Sequence, residues 1–265
     1  MKKKWILPVF ALLLGAALLA VYIGEKTGLG PSAVPRNERK RNDFSVDEKG
    51  RASYPGALLG IDVSDYQGAV DWKRVHADGV DFAILRIGYR GYSLGNLKLD
   101  ESFSGNYVAA KQAGLKLGVY FYSQATSPEE ARQEAEWVLK MLDGIQLELP
   151  VFFDWEKAEQ GRTEDKLTPA VSDYAAEFCR TISEGGYKAG VYFNQEYGYT
   201  VMRLRRLTDY AFWLAEYQSY QSFPFQTAFW QFSSDGRVDG IETPVDLDLM
   251  YAVENVNDET ETNPG

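Results

Sequence analysis

The sequence predicts an α/β fold: an eight-stranded β/α barrel preceded by an N-terminal transmembrane helix. Three observations support this. Strand-like and helix-like runs alternate five times, and three further strand-like runs follow with no clear helix between them. The strand-like runs are apolar almost throughout, as expected when both faces of a parallel sheet are covered. The 265 residues suit one barrel, which needs about 200–250. An open doubly wound sheet is the alternative. That architecture binds nucleotides through a Gly-rich first turn, whereas the first turn here reads Ser64-Asp65-Tyr66-Gln67-Gly68.

The elements follow in order. Ala57 to Val63 is an apolar run ending at Asp62-Val63-Ser64, and Asp71 to Ala77 reads as a short helix with Asp71 as cap. Asp81 to Gly88 is a second strand, and Asp100 to Ala113 a helix stopped by Gly114. Leu115 to Tyr122 is a third strand. Ser127-Pro128-Glu129-Glu130 opens a helix with a cap, a proline in the first position and acids in the first turn. It runs to about Leu142 and stops at Asp143-Gly144. Pro150 to Trp155 is a fourth strand, and Thr168-Pro169 opens a helix ending at Gly185-Gly186. Lys188 to Phe193 is a fifth strand, followed by a shorter helical stretch from Glu196 to Leu207. Ala211 to Tyr217, Ala228 to Phe232 and Val245 to Met250 are the last three strands.

Ahead of the barrel, Lys2, Lys3 and Lys4 precede an uncharged apolar run from Trp5 to Ile23. About 20 such residues span a bilayer, and preceding lysines place the N-terminus in the cytoplasm and the body outside. Residues 1–24 therefore read as an uncleaved single-pass anchor in the cell membrane. A cleavable signal, giving a secreted protein, is the competing reading. Residues 25–56 carry mixed charge with Gly28, Gly30, Pro31, Pro35 and Pro55, and read as a linker. Residues 57–253 form the barrel, and 254–265 an acidic tail expected to be disordered.

Charge and composition exclude several functions. The first 56 residues hold ten of the 28 Lys and Arg but only five of the 38 Asp and Glu. The remainder is therefore strongly acidic, which disfavours nucleic acid as a partner. One cysteine, Cys179, rules out an intrachain disulfide and reads as a buried helix residue. One histidine, His76, rules out His-based metal clusters and disfavours a Ser-His-Asp site. His76 itself reads as an exposed helix residue.

Active sites of parallel β/α barrels lie at the carboxyl ends of the strands. Asp62 ends the first strand, Asp154 and Glu156 end the fourth, and Asp246 and Asp248 lie on the last. In Val151-Phe152-Phe153-Asp154-Trp155-Glu156 the two acids face the same way, because strand side chains alternate. Neighbouring carboxyls push their pKa values apart, so one stays protonated while the other ionises. Glycoside hydrolysis needs this pair. The bland alternative is a solvated strand end. Aromatics gather near the same ends: Tyr89 and Tyr92 after the second strand, Tyr120 and Tyr122 on the third, Trp213 and Tyr217 on the sixth. Such rings stack on sugar faces, although any one of them reads as readily as core. Arg86 faces away from Leu85 and Ile87, and can point inward to pair with one of these acids.

From Leu58 to Tyr251 the chain resembles the glycoside hydrolase family 25 lysozymes (muramidases). The resemblance rests on Gly60-Ile61-Asp62-Val63-Ser64 with Gln67-Gly68 and Asp71-Trp72, then Arg86-Ile87-Gly88-Tyr89, and Asp100 with Phe103 and Asn106. It continues through Ala113-Gly114-Leu115, Gly118-Val119-Tyr120-Phe121-Tyr122-Ser123 and Asp154-Trp155-Glu156. Trp213-Leu214-Ala215-Glu216-Tyr217, Trp230-Gln231 and Val245-Asp246-Leu247 complete it. The resemblance implies an irregular TIM-like (β/α)5β3 barrel. It implies cleavage of the β-1,4 bond between N-acetylmuramic acid and N-acetylglucosamine in peptidoglycan, without cofactor or metal. By the same resemblance Glu156 takes the place of the general acid, Asp154 that of its partner, and Asp62 and Asp246 those of further acids in the cleft. The family's usual Asn two residues after Asp246 is Asp248 here. Tyr89, Tyr120, Tyr122, Trp213 and Tyr217 are the expected substrate contacts, and a monomer is the expected state. A non-catalytic wall-glycan-binding module and a hydrolase of another N-acetylhexosamine glycan are the rival readings.

Overall fold

The computed structural model describes residues 33–252. The anchor and the acidic tail expected from the sequence lie outside the described residues, among which no helix is long and apolar enough to cross a membrane. Eight strands close the barrel: β3 (Leu58–Val63), β4 (Phe82–Arg90), β6 (Lys116–Ser123), β7 (Val151–Trp155), β8 (Ala189–Asn194), β9 (Ala211–Ala215), β10 (Phe229–Gly236) and β11 (Val245–Met250). Direct pairing of β3 with β4 completes the ring and excludes the open sheet. Seven strands run parallel, while β11 runs antiparallel to both β10 and β3. Asp246, at the start of β11, therefore sits at the same end of the barrel as Asp62, its direct partner across the ladder.

Helices α1 (Trp72–Ala77), α2 (Phe103–Ala113), α3 (Pro128–Leu142), α4 (Val171–Glu184) and α5 (Gln195–Thr200) follow the first five barrel strands. Local chemistry sets their ends. The Asp71 carboxylate accepts the Arg74 N–H at 3.2 Å, and Ser127 Oγ accepts the Glu130 N–H at 3.2 Å. These caps satisfy donors that the first turn leaves free. At the end of α2 the chain turns through Gly114 at φ 96°, where a side chain would be strained. The stretch expected as one helix from Glu196 to Leu207 is split into α5 and a 3₁₀ turn at Leu204–Arg206. A short strand, β5 (Leu97–Leu99), returns along the end of β4 and was not evident from the sequence.

Alternation sorts the strand residues into two cores. Ile61, Val63, Ala83, Leu85, Val119, Phe121, Phe153 and Val191 face outward and pack with Phe178, Ile182 and Cys179 of α4 and with the other helices. Phe82, Ile84, Tyr120, Phe152, Trp213 and Phe229 face the lumen. Phe152 lies 5.2 Å from Phe229 and 5.1 Å from Trp213, ring centre to ring centre, so aromatics plug the base of the barrel. Gly60 makes room for this plug: a Cβ there would stand 2.2 Å from the Phe82 ring.

Residues 33–56, inside the segment read as linker, are folded against the barrel. They include the two-residue strands β1 (Ser45–Val46) and β2 (Ala52–Ser53). The physical reason is the missing helices. Among the described residues no helix covers the outer faces of strands β9 to β11, yet Trp230 and Phe232 point outward there and are buried. Phe44 covers Trp230 edge-on at 5.4 Å and Tyr54 covers Tyr251 at 5.5 Å. The Arg39 guanidinium stacks 3.5 Å above the Tyr251 ring. Proline and glycine spacing could not reveal this, because the apolar partners lie about 200 residues further along the chain.

Candidate active site

The upper lumen holds the chemistry. Asp62 at the end of β3, Asp154 at the end of β7, Glu156 just beyond it and Asp246 at the start of β11 all line one cleft of about 340 Å³. Tyr66, Tyr120, Tyr122, Tyr192, Tyr217 and Gln231 are among its walls. The cleft opens where the parallel strands end, as the fold requires.

Each acid has a distinct environment. Asp154 is almost wholly buried, and its Oδ1 has no hydrogen-bond partner among the described residues. Burial pushes its carboxyl well above the usual range and the Glu156 charge adds to this, against the opposing charge of Arg86. Glu156 is half-buried, and burial raises its carboxyl too. Its backbone is held in place, since its carbonyl accepts the Gln124 amide N–H at 2.6 Å. Asp246 is pushed up to about 6, by burial first, with the hydrogen bond to Asp62 opposing and the charge of Glu156 adding. Asp62 is raised by burial and by the charges of Asp246 and Asp248, while the Gln231 amide, donating at 2.8 Å, opposes.

Several sequence expectations need revision. Arg86 does not pair with a cleft acid. Its Nε donates to Asp100 at 2.8 Å and its terminal nitrogen pairs with Asp65. Tyr89 is absent from the cleft walls; its ring lies 5.2 Å from the Arg86 guanidinium and 5.9 Å from the Lys98 ammonium. Trp213 reaches the cleft only as its floor. It is 2 % exposed, wedged between Tyr192 (4.7 Å) and Phe152 (5.1 Å), and it donates its indole N–H to Asp248 at 2.8 Å. Tyr217 lies past the end of β9 rather than on it, and its half-exposed ring stands at the rim. Tyr66, 78 % exposed, is a rim residue that the sequence reading missed. Its place in the loop after the first strand was the available signal, because such loops build barrel sites.

An acidic cleft with raised carboxyls at the strand ends of a β/α barrel, floored and rimmed by aromatics, is the arrangement a glycoside hydrolase needs. The comparisons agree: the profile described as glycosyl hydrolases family 25 matches residues 61–241, and the chain belongs to that family. It is 30% identical over 209 residues to the uncharacterized protein YegX of Escherichia coli O157:H7, covering 77% of this chain and 72% of that one. It is 28% identical over 192 residues to an autolytic lysozyme of Clostridium acetobutylicum, covering 72% of this chain and 55% of that one. Among solved structures, the modular autolysin LytC of Streptococcus pneumoniae superposes with a TM-score of 0.65 at 23% identity. That match covers 83% of this chain and 52% of the autolysin, so the chain spans about half its length.

Proposed function

We propose that this protein is a peptidoglycan hydrolase, an N-acetylmuramidase that cuts the β-1,4 bond between N-acetylmuramic acid and N-acetylglucosamine. One observation carries the reading: Asp154 and Glu156 share a cleft with Asp62 and Asp246 in a chain of this family. Burial raises the Glu156 carboxyl and so favours its protonated form, and as general acid it delivers a proton to the glycosidic oxygen. Asp154 lines the same cleft and supports the charge that develops on the sugar. Tyr66, Tyr122 and Tyr217 offer ring faces and hydroxyls to the glycan. Mass analysis of fragments released from purified peptidoglycan tests this directly. Reducing ends on N-acetylmuramic acid are expected; release confined to another sugar, or none, sinks the assignment.

The membrane attachment belongs to the same proposal. The described chain enters at the base of the barrel, where Gln226 N–H donates to the Pro35 carbonyl at 2.8 Å and Asn37 N–H to that of Pro224 at 3.0 Å. The cleft opens at the opposite end. A tether leading into this point holds the cleft away from the bilayer and toward the wall. Fractionation of cells expressing the full chain, or a chain lacking residues 1–24, checks it. The full chain is expected with the membranes and the shortened one in the soluble fraction.

A further inference from the structure

The cleft is small for a polymer. Its volume of about 340 Å³ lies at the lower end of the range for small-molecule sites, about 300–1,000 Å³. A glycan strand held there must leave it over the rim. A second groove, of about 390 Å³, adjoins the cleft, and the two share Tyr217 and Ser234 as walls. One side of this groove is built by residues 33–56, the strap over the bare strands. The β1–β2 hairpin contributes Val46 and Ala52, the chain after β9 contributes Tyr217 and Gln218, and the end of β10 contributes Ser234 and Asp235. The hairpin lies ahead of residues 61–241, the part of the chain shared with the family.

This wall is held rigidly. Asp47 Oδ1 accepts the N–H groups of Lys49 and Arg51, each at 2.8 Å, which fixes the turn of the hairpin. Arg51 is buried, pairs with the Asp78 carboxylate and donates to the Asp78 carbonyl at 2.7 Å. A preformed wall spares a ligand the cost of ordering it. The chemistry of the groove selects the ligand. Two large apolar side chains stay in water along it, Val46 at 46 % and Tyr217 at 56 % exposure. Beside them stand the Gln218 amide and the Ser219 and Ser234 hydroxyls. Among the lining residues Asp235 alone carries a charge, and its Oδ1 accepts the Ser233 hydroxyl at 2.8 Å. A charged peptide finds no cation and a single anion here. A sugar ring finds apolar surface for its faces and neutral polar groups for its hydroxyl and acetamido rim.

We propose that the groove between the strap hairpin and the ends of β9 and β10 is a further binding site for the glycan strand, holding N-acetylhexosamine units that lie beyond those in the cleft. A strand leaving the cleft crosses the Tyr217 ring and runs along Val46 and Gln218. The strap then serves two ends: its inner side roofs the bare strands, and its hairpin makes the enzyme prefer long strands to short fragments. The preference in cleavage rests on the muramidase reading of the cleft; the binding of glycan in the groove does not.

Two measurements on the full chain test it, with Val46→Ser and Gln218→Ala made singly and together. Both positions are exposed, so the variants keep the fold. The first measurement compares kcat/KM on long glycan strands freed of stem peptides with kcat/KM on a tetrasaccharide of the same repeat. The ratio of long to short should fall by about tenfold in the double variant, through KM rather than kcat. A ratio that stays at the wild-type value overturns the proposal. So does a loss seen only on strands that keep their stem peptides, which would give the groove to the peptide. The second measurement is calorimetric binding of the peptide-free strands to Glu156→Gln, with and without the two groove changes. The Kd should rise by about tenfold when the groove is altered, and an equal Kd overturns the site. If the wild-type chain cleaves neither substrate, the muramidase reading fails while the binding measurement still decides the groove.

Discussion

Two groups of acids sit at the same end of this barrel and are treated in opposite ways. Asp100 is fully buried, and both its oxygens are used. Oδ2 takes Arg86 Nε at 2.8 Å and the Asp65 N–H at 3.1 Å; Oδ1 takes the Ser102 N–H at 2.9 Å and its hydroxyl at 2.6 Å. Glu216 is similar, holding the 222–223 backbone through the Ser222 and Phe223 N–H groups and accepting the Gln195 amide at 2.8 Å. Asp154, by contrast, has an oxygen without a partner among the described residues, and no ion pair among them reaches a cleft acid. A satisfied buried acid ties elements together. An unsatisfied one costs stability and persists where chemistry uses it.

This contrast makes removal of the two kinds of acid separable. The largest effect is expected at Glu156. Glu156→Gln should lower turnover on peptidoglycan by about 10²–10⁴-fold, the range for a general acid, with no fall in melting temperature. A variant keeping near-full activity removes Glu156 from its role. At Asp100 the signature reverses. Asp100→Ala leaves the Arg86 guanidinium with only the half-exposed Asp65, and should cost about 3–5 kcal/mol in urea unfolding. A loss below about 1 kcal/mol would show that the Asp100–Arg86 pair is not framework.

The pH dependence sharpens the same comparison. Asp246 is raised on folding to about 6, so its contribution to stability is present below about pH 4 and is lost as pH rises toward 6. Asp246→Asn should therefore gain on wild type by a few degrees in melting temperature, about 2–4 °C per kcal/mol, between those values, then hold level above. A gain that grows as pH falls would reverse the sign and refute the buried-acid account. The smallest effect is at the strap. Phe44→Ala uncovers the outer edge of Trp230 and should cost about 1–2 kcal/mol, leaving cleavage within about twofold. Loss of activity beyond that would tie Phe44, and not only the hairpin after it, to the cleft.

Much of the site was legible in the sequence because strand alternation is local. Asp154 and Glu156 share a face by counting residues, and Asp62 follows from its place at a strand end. Asp246 was harder. It faces the cleft only because β11 runs antiparallel, which puts the start of that strand at the mouth and drops Asp248 a level deeper. Arg86 shows the other limit. Its inward direction was readable from Leu85 and Ile87, but its partners were not, since Asp65 and Asp100 reach it from two different loops. Trp213 illustrates why aromatic clusters mislead. Alternation points it inward, and only the packing of Tyr192 and Phe152 against it shows that its faces are taken.

By itself the chain's pattern of apolar runs, caps and glycines determined five strand–helix units, three bare strands and the facing of most acids, because hydrophobic period and capping act over a few residues. Only the tertiary structure decided which acids meet a cation, which are left dry, and that residues 33–56 roof the bare strands. Those outcomes depend on contacts between positions far apart in the chain, and burial and pairing are properties of where the chain ends up, not of what it is locally.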